Sequence, residues 1–150
     1  FFLAQWLVPL RHLLYPGNVA WTGEGSRFAW RMKLDDRRCT ARFVLTEPVS
    51  GRRRDLDPGE HLPLRHVEAM LTDPDMVLQF AHYLARTWRQ RLGVAHVSVH
   101  VHATCALNGR PPAPWIDPHV DLSRVERTWR HYGWILPGPP ARPTAAPSRP

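Results

Sequence analysis

Three histidines, two cysteines, one lysine and a set of arginines are the residues of this chain that could do chemistry. His100 and His102 fall at i and i+2 on one face of a predicted strand, with His96 just before them. Two imidazoles so placed bind zinc only when a third ligand arrives from elsewhere. No acidic or cysteine ligand is put beside them, so they read as solvent-side histidines and no metal site is expected. Cys39 and Cys105 lack any C-x-x-C spacing, which excludes a zinc knuckle and a thioredoxin motif. Both fall on apolar strand faces and read as buried free thiols; a disulfide would need Cα atoms within about 7 Å, which spacing alone does not give. Lys33 is the only lysine. A base needs a lysine whose pKa is lowered by burial, and Lys33 sits on the polar side of a strand that carries Phe28, Trp30 and Met32. No Ser/His/Asp or Cys/His order stands out either, so no catalytic residue is assigned. What remains is arginine, whose fork matches a carboxylate; Arg27, Arg31 and Arg110 are the candidates for holding one.

The elements that must position these residues follow from periodicity. Residues 1–10 are uncharged and end at Arg11 and His12. At about 15 Å they are too short to cross a bilayer. They read as the last turns of a membrane helix, with Trp6 and Tyr15 as interfacial aromatics; residues 1–14 are assigned to that helix end, and the chain to a piece of a longer protein. After Pro16, Gly17 and Asn18 comes a turn with Thr22, Gly23 and Gly25. Strict alternation then predicts a strand through Phe28, Trp30, Met32 and Leu34. A polar turn is expected at Asp35 to Arg38, a second strand through Ala41, Phe43 and Leu45, and a short edge strand at Arg52 to Leu56, whose three basic residues resist pairing with other chains.

Two helices follow. The first spans Pro63 to Leu71. The second starts at Asp73-Pro74, an N-cap carboxylate and a first-turn proline, and runs to about Leu92 before Gly93. Val77, Phe80, Ala81, Leu84 and Trp88 form its buried stripe. Val97, Val99, Val101, Ala103, Cys105 and Leu107 face inward along the longest strand pattern. Asn108-Gly109 signals a hairpin, with Trp115-Ile116 as the return strand and Trp134-Ile135-Leu136 as a last apolar contact. The expected fold is α+β, an antiparallel sheet in the order βββααββ with one long helix packed on it. The domain spans residues 15–136, and residues 137–150, rich in proline, carry too little apolar surface to order.

The formal net charge is +7, which suits nucleic acid, an anionic surface or an acidic substrate. The arginines are spread out and no zinc-finger or aromatic-basic RNA signature is present, which disfavours nucleic acid.

Several separated stretches, in order, carry a likeness. They are His12, Gly17, Trp21, Thr22, Phe28, Trp30 and Met32; Asp75-Met76 with Gln79 and Ala81; Asn108 with Arg110; Asp117-Pro118 with Val120-Asp121; and Trp134 with Pro137. In these the chain resembles the soluble, lumenal domain of the vitamin K-dependent gamma-carboxylase family, just after its last membrane helix. The resemblance implies a membrane-bound lyase of bacterial type. Such an enzyme oxidises reduced vitamin K with oxygen and adds carbon dioxide to glutamate, giving gamma-carboxyglutamate. It implies that this domain lies outside the membrane, with the upstream membrane helices and a glutamate-containing protein as its partners. The family's active-site lysine lies upstream in those helices, so this stretch would help hold the substrate without catalysing. Arg27, Trp30, Arg31 and Arg110 are then the substrate-binding candidates. Ala29 stands where the family usually has serine, and Arg31 where animal members have aspartate. Two other readings are a binding module of a homologue that does not carboxylate, and a small basic nucleic-acid-binding protein.

Overall fold

The computed structural model describes Leu10, residues 15–25 and residues 36–139. The helix end assigned to residues 1–14, Leu10 excepted, the strand expected over Phe28 to Leu34 and the tail from residue 140 lie outside the described residues. So do His12, Arg27, Trp30, Arg31 and Lys33. No helix among the described residues is long and apolar enough to cross a membrane.

The chain runs α1 (Val19–Thr22), β1 (Arg37–Thr46), β2 (Arg53–Leu56), α2 (Leu64–Met70), α3 (Pro74–Leu92), β3 (Ser98–Leu107) and β4 (Ala113–Pro114), with 3-10 turns at Pro58–Glu60 and Leu122–Arg124. Four antiparallel strands lie in the order β2-β1-β3-β4. The fold class is therefore the α+β expected, with the long helix on one face of the sheet. Asp73 accepts from the Asp75 amide as N-cap, and Gly93 closes α3 in the left-handed region at φ 66°, the arrangement the Asp-Pro and Gly signals predict.

Alternation decides which face is core. Phe43 and Leu45 from β1, and Val99, Val101, Ala103 and Cys105 from β3, are almost fully buried. They meet Val77, Leu78, Phe80, Ala81 and Leu84 of α3. Phe43 and Phe80 pack edge to face with centroids 5.0 Å apart, a geometry favoured by the ring quadrupoles. The opposite face is polar, with Thr40 and Thr104 hydroxyls 3.0 Å apart and Arg42 near Asp55.

Four local expectations are corrected. The turn expected over Asp35 to Arg38 ends by Asp36, because β1 pairs with β3 over ten residues, from Arg37 opposite Leu107 to Thr46 opposite Ser98. Asp36 and Asn108 hold that register: the Asn108 amide donates to the Asp36 carbonyl (2.8 Å), and the Asp36 amide donates to Asn108 Oδ1 (3.0 Å). The same register sets Cys39 opposite Cys105 with Cα atoms 4.1 Å apart, and the two form a disulfide, not free thiols. The return strand is Ala113–Pro114, two residues earlier than expected, since Trp115 and Ile116 turn inward to the core. Trp88 is only partly buried; Arg54 lies over its ring at 4.9 Å.

Candidate functional site

A cleft of about 460 Å3 opens where the two ends of the described chain meet. Trp21 and Thr22 of α1, Leu107 and Arg110 at the tip of β3, and His131 and Leu136 near the C-terminal end line it. Each wall is held by an identifiable contact. Asn18 caps α1, its side chain accepting from the Ala20 amide. Trp21 is 2% exposed, and its Nε1 donates to the Leu136 carbonyl at 2.8 Å. Gly138 lies so close to this ring that a Cβ there would come within 2.8 Å of Trp21 Cγ. Gly23 ends α1 at φ 76°, and a Cβ on it would fall 2.6 Å from the Thr72 carbonyl. Glycine is required there by both conformation and space.

Arg37 joins this corner to the sheet. Its guanidinium donates to the carbonyls of Trp21 (2.7 Å) and Leu71 (2.6 Å) and stands 4.4 Å over the Trp115 ring. Burial pushes its pKa down to about 10, against the pull of Asp73. A cation this enclosed without a direct carboxylate bond stays only because carbonyl dipoles and a ring face replace water.

The cleft also holds a carboxylate–imidazole pair. Glu24, 5% exposed, accepts from the Tyr132 amide at 2.8 Å and lies 2.7 Å from His131 Nδ1. This contact orients the imidazole ring of His131 from its Nδ1 side. Arg110 lies at the other wall, its amide closing the hairpin turn onto the Leu107 carbonyl. Its guanidinium has no carboxylate partner among the described residues. An arginine fork can take a carboxylate through two parallel bonds.

Of the substrate-binding candidates, the structure brings Arg110 to the cleft; Arg27, Trp30 and Arg31 lie outside the described residues. Trp21 forms one cleft wall. Asn108 takes φ 51°, the left-handed region asparagine tolerates, and so shapes the turn that carries Arg110. Asp117 accepts from the His119 amide at 2.9 Å. Asp121 caps the second 3-10 turn and accepts from the amides of Val99 and Ser123 and the Ser123 hydroxyl. Burial raises its pKa, but the bonds from Ser123, Val99 and His96 outweigh that and leave it below the usual carboxylate value. Trp134 is buried against Tyr132, ring centroids 5.0 Å apart. The Asp117 amide donates to the Trp134 carbonyl, while Asp121 sits beside Val99, at the other end of β3 from Leu107 and the cleft. His96 reaches toward Asp121 at 3.3 Å, while His100 and His102 stay on the open sheet face; no group of three metal-ligating residues forms among the described residues.

Glu24, His131 and Arg37 are the site residues that sequence reasoning did not single out. A glutamate between two glycines reads as an exposed turn, and only the partner 107 positions away in the chain explains its burial. Asp75 is a further hub: Arg127 grips it with two bonds of 2.8 Å, and the Gln79 amide and Tyr132 hydroxyl also reach it.

The model of the lumenal domain of vitamin K-dependent gamma-carboxylase matches residues 1–140. No curated protein and no solved structure matches the chain. With nearly its whole length matched, the chain belongs to the family of vitamin K-dependent gamma-carboxylase lumenal domains.

Proposed function

We propose that this domain holds a glutamate-bearing protein segment for a membrane-bound carboxylase-like lyase, and that the cleft beside Trp21 receives the glutamate side chain. The observation that carries the reading is Arg110, a guanidinium without a carboxylate partner among the described residues, on the wall of an otherwise largely apolar cleft. A carboxylate entering there gains a charge-assisted fork while its methylenes lie against Trp21 and Leu136. His131, steadied by Glu24, supplies a second polar group at the same cleft.

In the whole enzyme, reduced vitamin K, oxygen and carbon dioxide would supply the oxidation and the added carboxyl group. That chemistry is assigned, on the family reading, to the upstream membrane helices, and the domain's own part is to bind and orient; no lysine is among the described residues that line the cleft. An extracytoplasmic position is supported by the Cys39–Cys105 disulfide, since such crosslinks persist in oxidising compartments. The membrane anchor and the glutamate-bearing partner follow from the same reading.

Titrating a fluorescently labelled glutamate-containing peptide into the protein tests the proposal. The expected result is weak, salt-sensitive binding that falls about tenfold in Arg110→Ala, in line with loss of one charged hydrogen-bond partner. Unchanged binding in Arg110→Ala would remove the cleft from consideration.

A further inference from the structure

A second, smaller cleft lies on the other side of the domain. It measures about 280 Å3, and Leu45, Trp88, Leu92 and Val97 form an apolar floor. Its rim is Arg52, Arg53 and Arg54 at the start of β2. Arg54 stacks over Trp88 at 4.9 Å, and Arg91 approaches the same ring at 6.0 Å. The acidic lining residue, Glu47, accepts a hydrogen bond from the Ser50 hydroxyl. β2 is an edge of the four-stranded sheet.

A run of charges on an edge strand is ordinarily enough to discourage pairing with other chains. That purpose does not require a concave apolar floor beneath the charges. Here Leu92 is 40% exposed at the end of α3, and Trp88 is covered on one face by a guanidinium where a core residue would have apolar neighbours. An apolar hollow ringed by cations matches a ligand of the inverse pattern, one bulky apolar side chain between acidic ones. An extended segment laid along an edge strand sends alternate side chains to opposite faces. With its apolar residue on Trp88 and Leu92, the carboxylates two positions away share that face and meet Arg52 and Arg54, while the adjacent ones turn to the Arg53 face.

We propose that the β2 edge and the Trp88 hollow form a docking site for an extended acidic peptide segment carrying one bulky apolar side chain. It is separate from the Arg110 cleft and does not depend on what that cleft binds, since the two share no lining residue.

The test uses a fluorescein-labelled peptide of sequence Glu-Glu-Leu-Glu-Glu, followed by anisotropy with the full chain carrying Arg110→Ala, so that the first cleft does not contribute. Two companion peptides replace leucine by serine, or every glutamate by lysine. Binding of the first peptide is expected to weaken with added salt and to fall about tenfold or more in Arg52→Glu/Arg54→Glu. It should also fall with the serine peptide and vanish with the lysine peptide. Arg52→Glu alone, at an exposed position, serves if the double variant does not fold, as judged by circular dichroism. Equal binding of the serine peptide would reduce the site to bulk charge attraction and overturn the proposal. So would binding that survives charge reversal, or no binding at all in the Arg110→Ala chain.

Discussion

Replacing Cys39 by alanine removes the crosslink between β1 and β3 while disturbing the core little, because Cys39 is only partly buried and Cys105 keeps its place. The bridged cysteines are 66 residues apart in sequence. In the chain-entropy account, closing a loop of that length removes about 4 kcal/mol of unfolded-state freedom. In a domain of this size each kcal/mol moves the melting temperature by about 2–4 °C. The variant is therefore expected to melt roughly 8–16 °C below the parent. The β1–β3 register should survive, since it is independently held by the Asp36–Asn108 bonds and the apolar face. Thermal melts by circular dichroism, with the parent measured under oxidising conditions, give the shift. Mass spectrometry after alkylation without reductant gives the redox state. A parent that takes up two alkyl groups under those conditions, or a Cys39→Ala variant that melts with the parent, would refute the reasoning.

Asp75→Asn should destabilise the domain by about 1.5–3 kcal/mol, the range for hydrogen bonds to a charged group, since Arg127, Gln79 and Tyr132 all converge on that carboxylate; denaturant titration measures it, and a midpoint equal to the parent's would contradict it. Asp121 predicts an acid dependence. Its folded pKa lies below the ordinary 3.8, so the unfolded chain binds the proton more readily. Its contribution is thus full above 3.8 and is lost as pH falls through the lower folded value; Asp121→Asn should flatten the acid limb of stability against pH, and parallel limbs would count against it. The isolated chain should fix no labelled carbon dioxide into a glutamate peptide when given reduced vitamin K and oxygen, because its one lysine, Lys33, falls in the sequence on the polar side of an alternating stretch, where no burial is expected to lower its pKa; label above a no-protein control would show that the base lies in these residues.

The parts of the fold that repeat were legible. The alternation from Val97 to Leu107 and the 3.6-residue stripe of α3 each reflect a face that must be dry, and the Asp73-Pro74 and Gly93 signals reflect backbone groups that must be satisfied. The cleft was legible only where it touches such elements, at Asn108 and Arg110. The rest of it comes from segments with almost no regular structure, residues 16–24 and 131–139, whose partners are each other. Glu24 with His131 and Trp21 with Leu136 are joined across more than a hundred residues. No local period encodes such a pairing, and the disulfide was hidden for the same reason: register, not spacing, brought Cys39 to Cys105.

The arginines make the point most sharply, because composition treats them alike. Arg37 is enclosed, its charge spent on two carbonyls and a ring, and it holds α1 against α2 and the sheet. Arg127 closes a fork on Asp75 and fastens the segment leading to His131 onto the long helix. Arg54 lies over Trp88 at the rim of the second hollow, and Arg110 waits at the first cleft on a turn set by Asn108. Guanidiniums already bound to carbonyls or carboxylates cannot recruit a ligand without losing those bonds, and a buried one could not do so without unfolding its corner. The net charge of +7 thus overstates the charge available for recognition. On the two proposals above, an acidic partner is recognised by the subset that lies over apolar ground, and among the described residues that subset falls at two separate places on the domain.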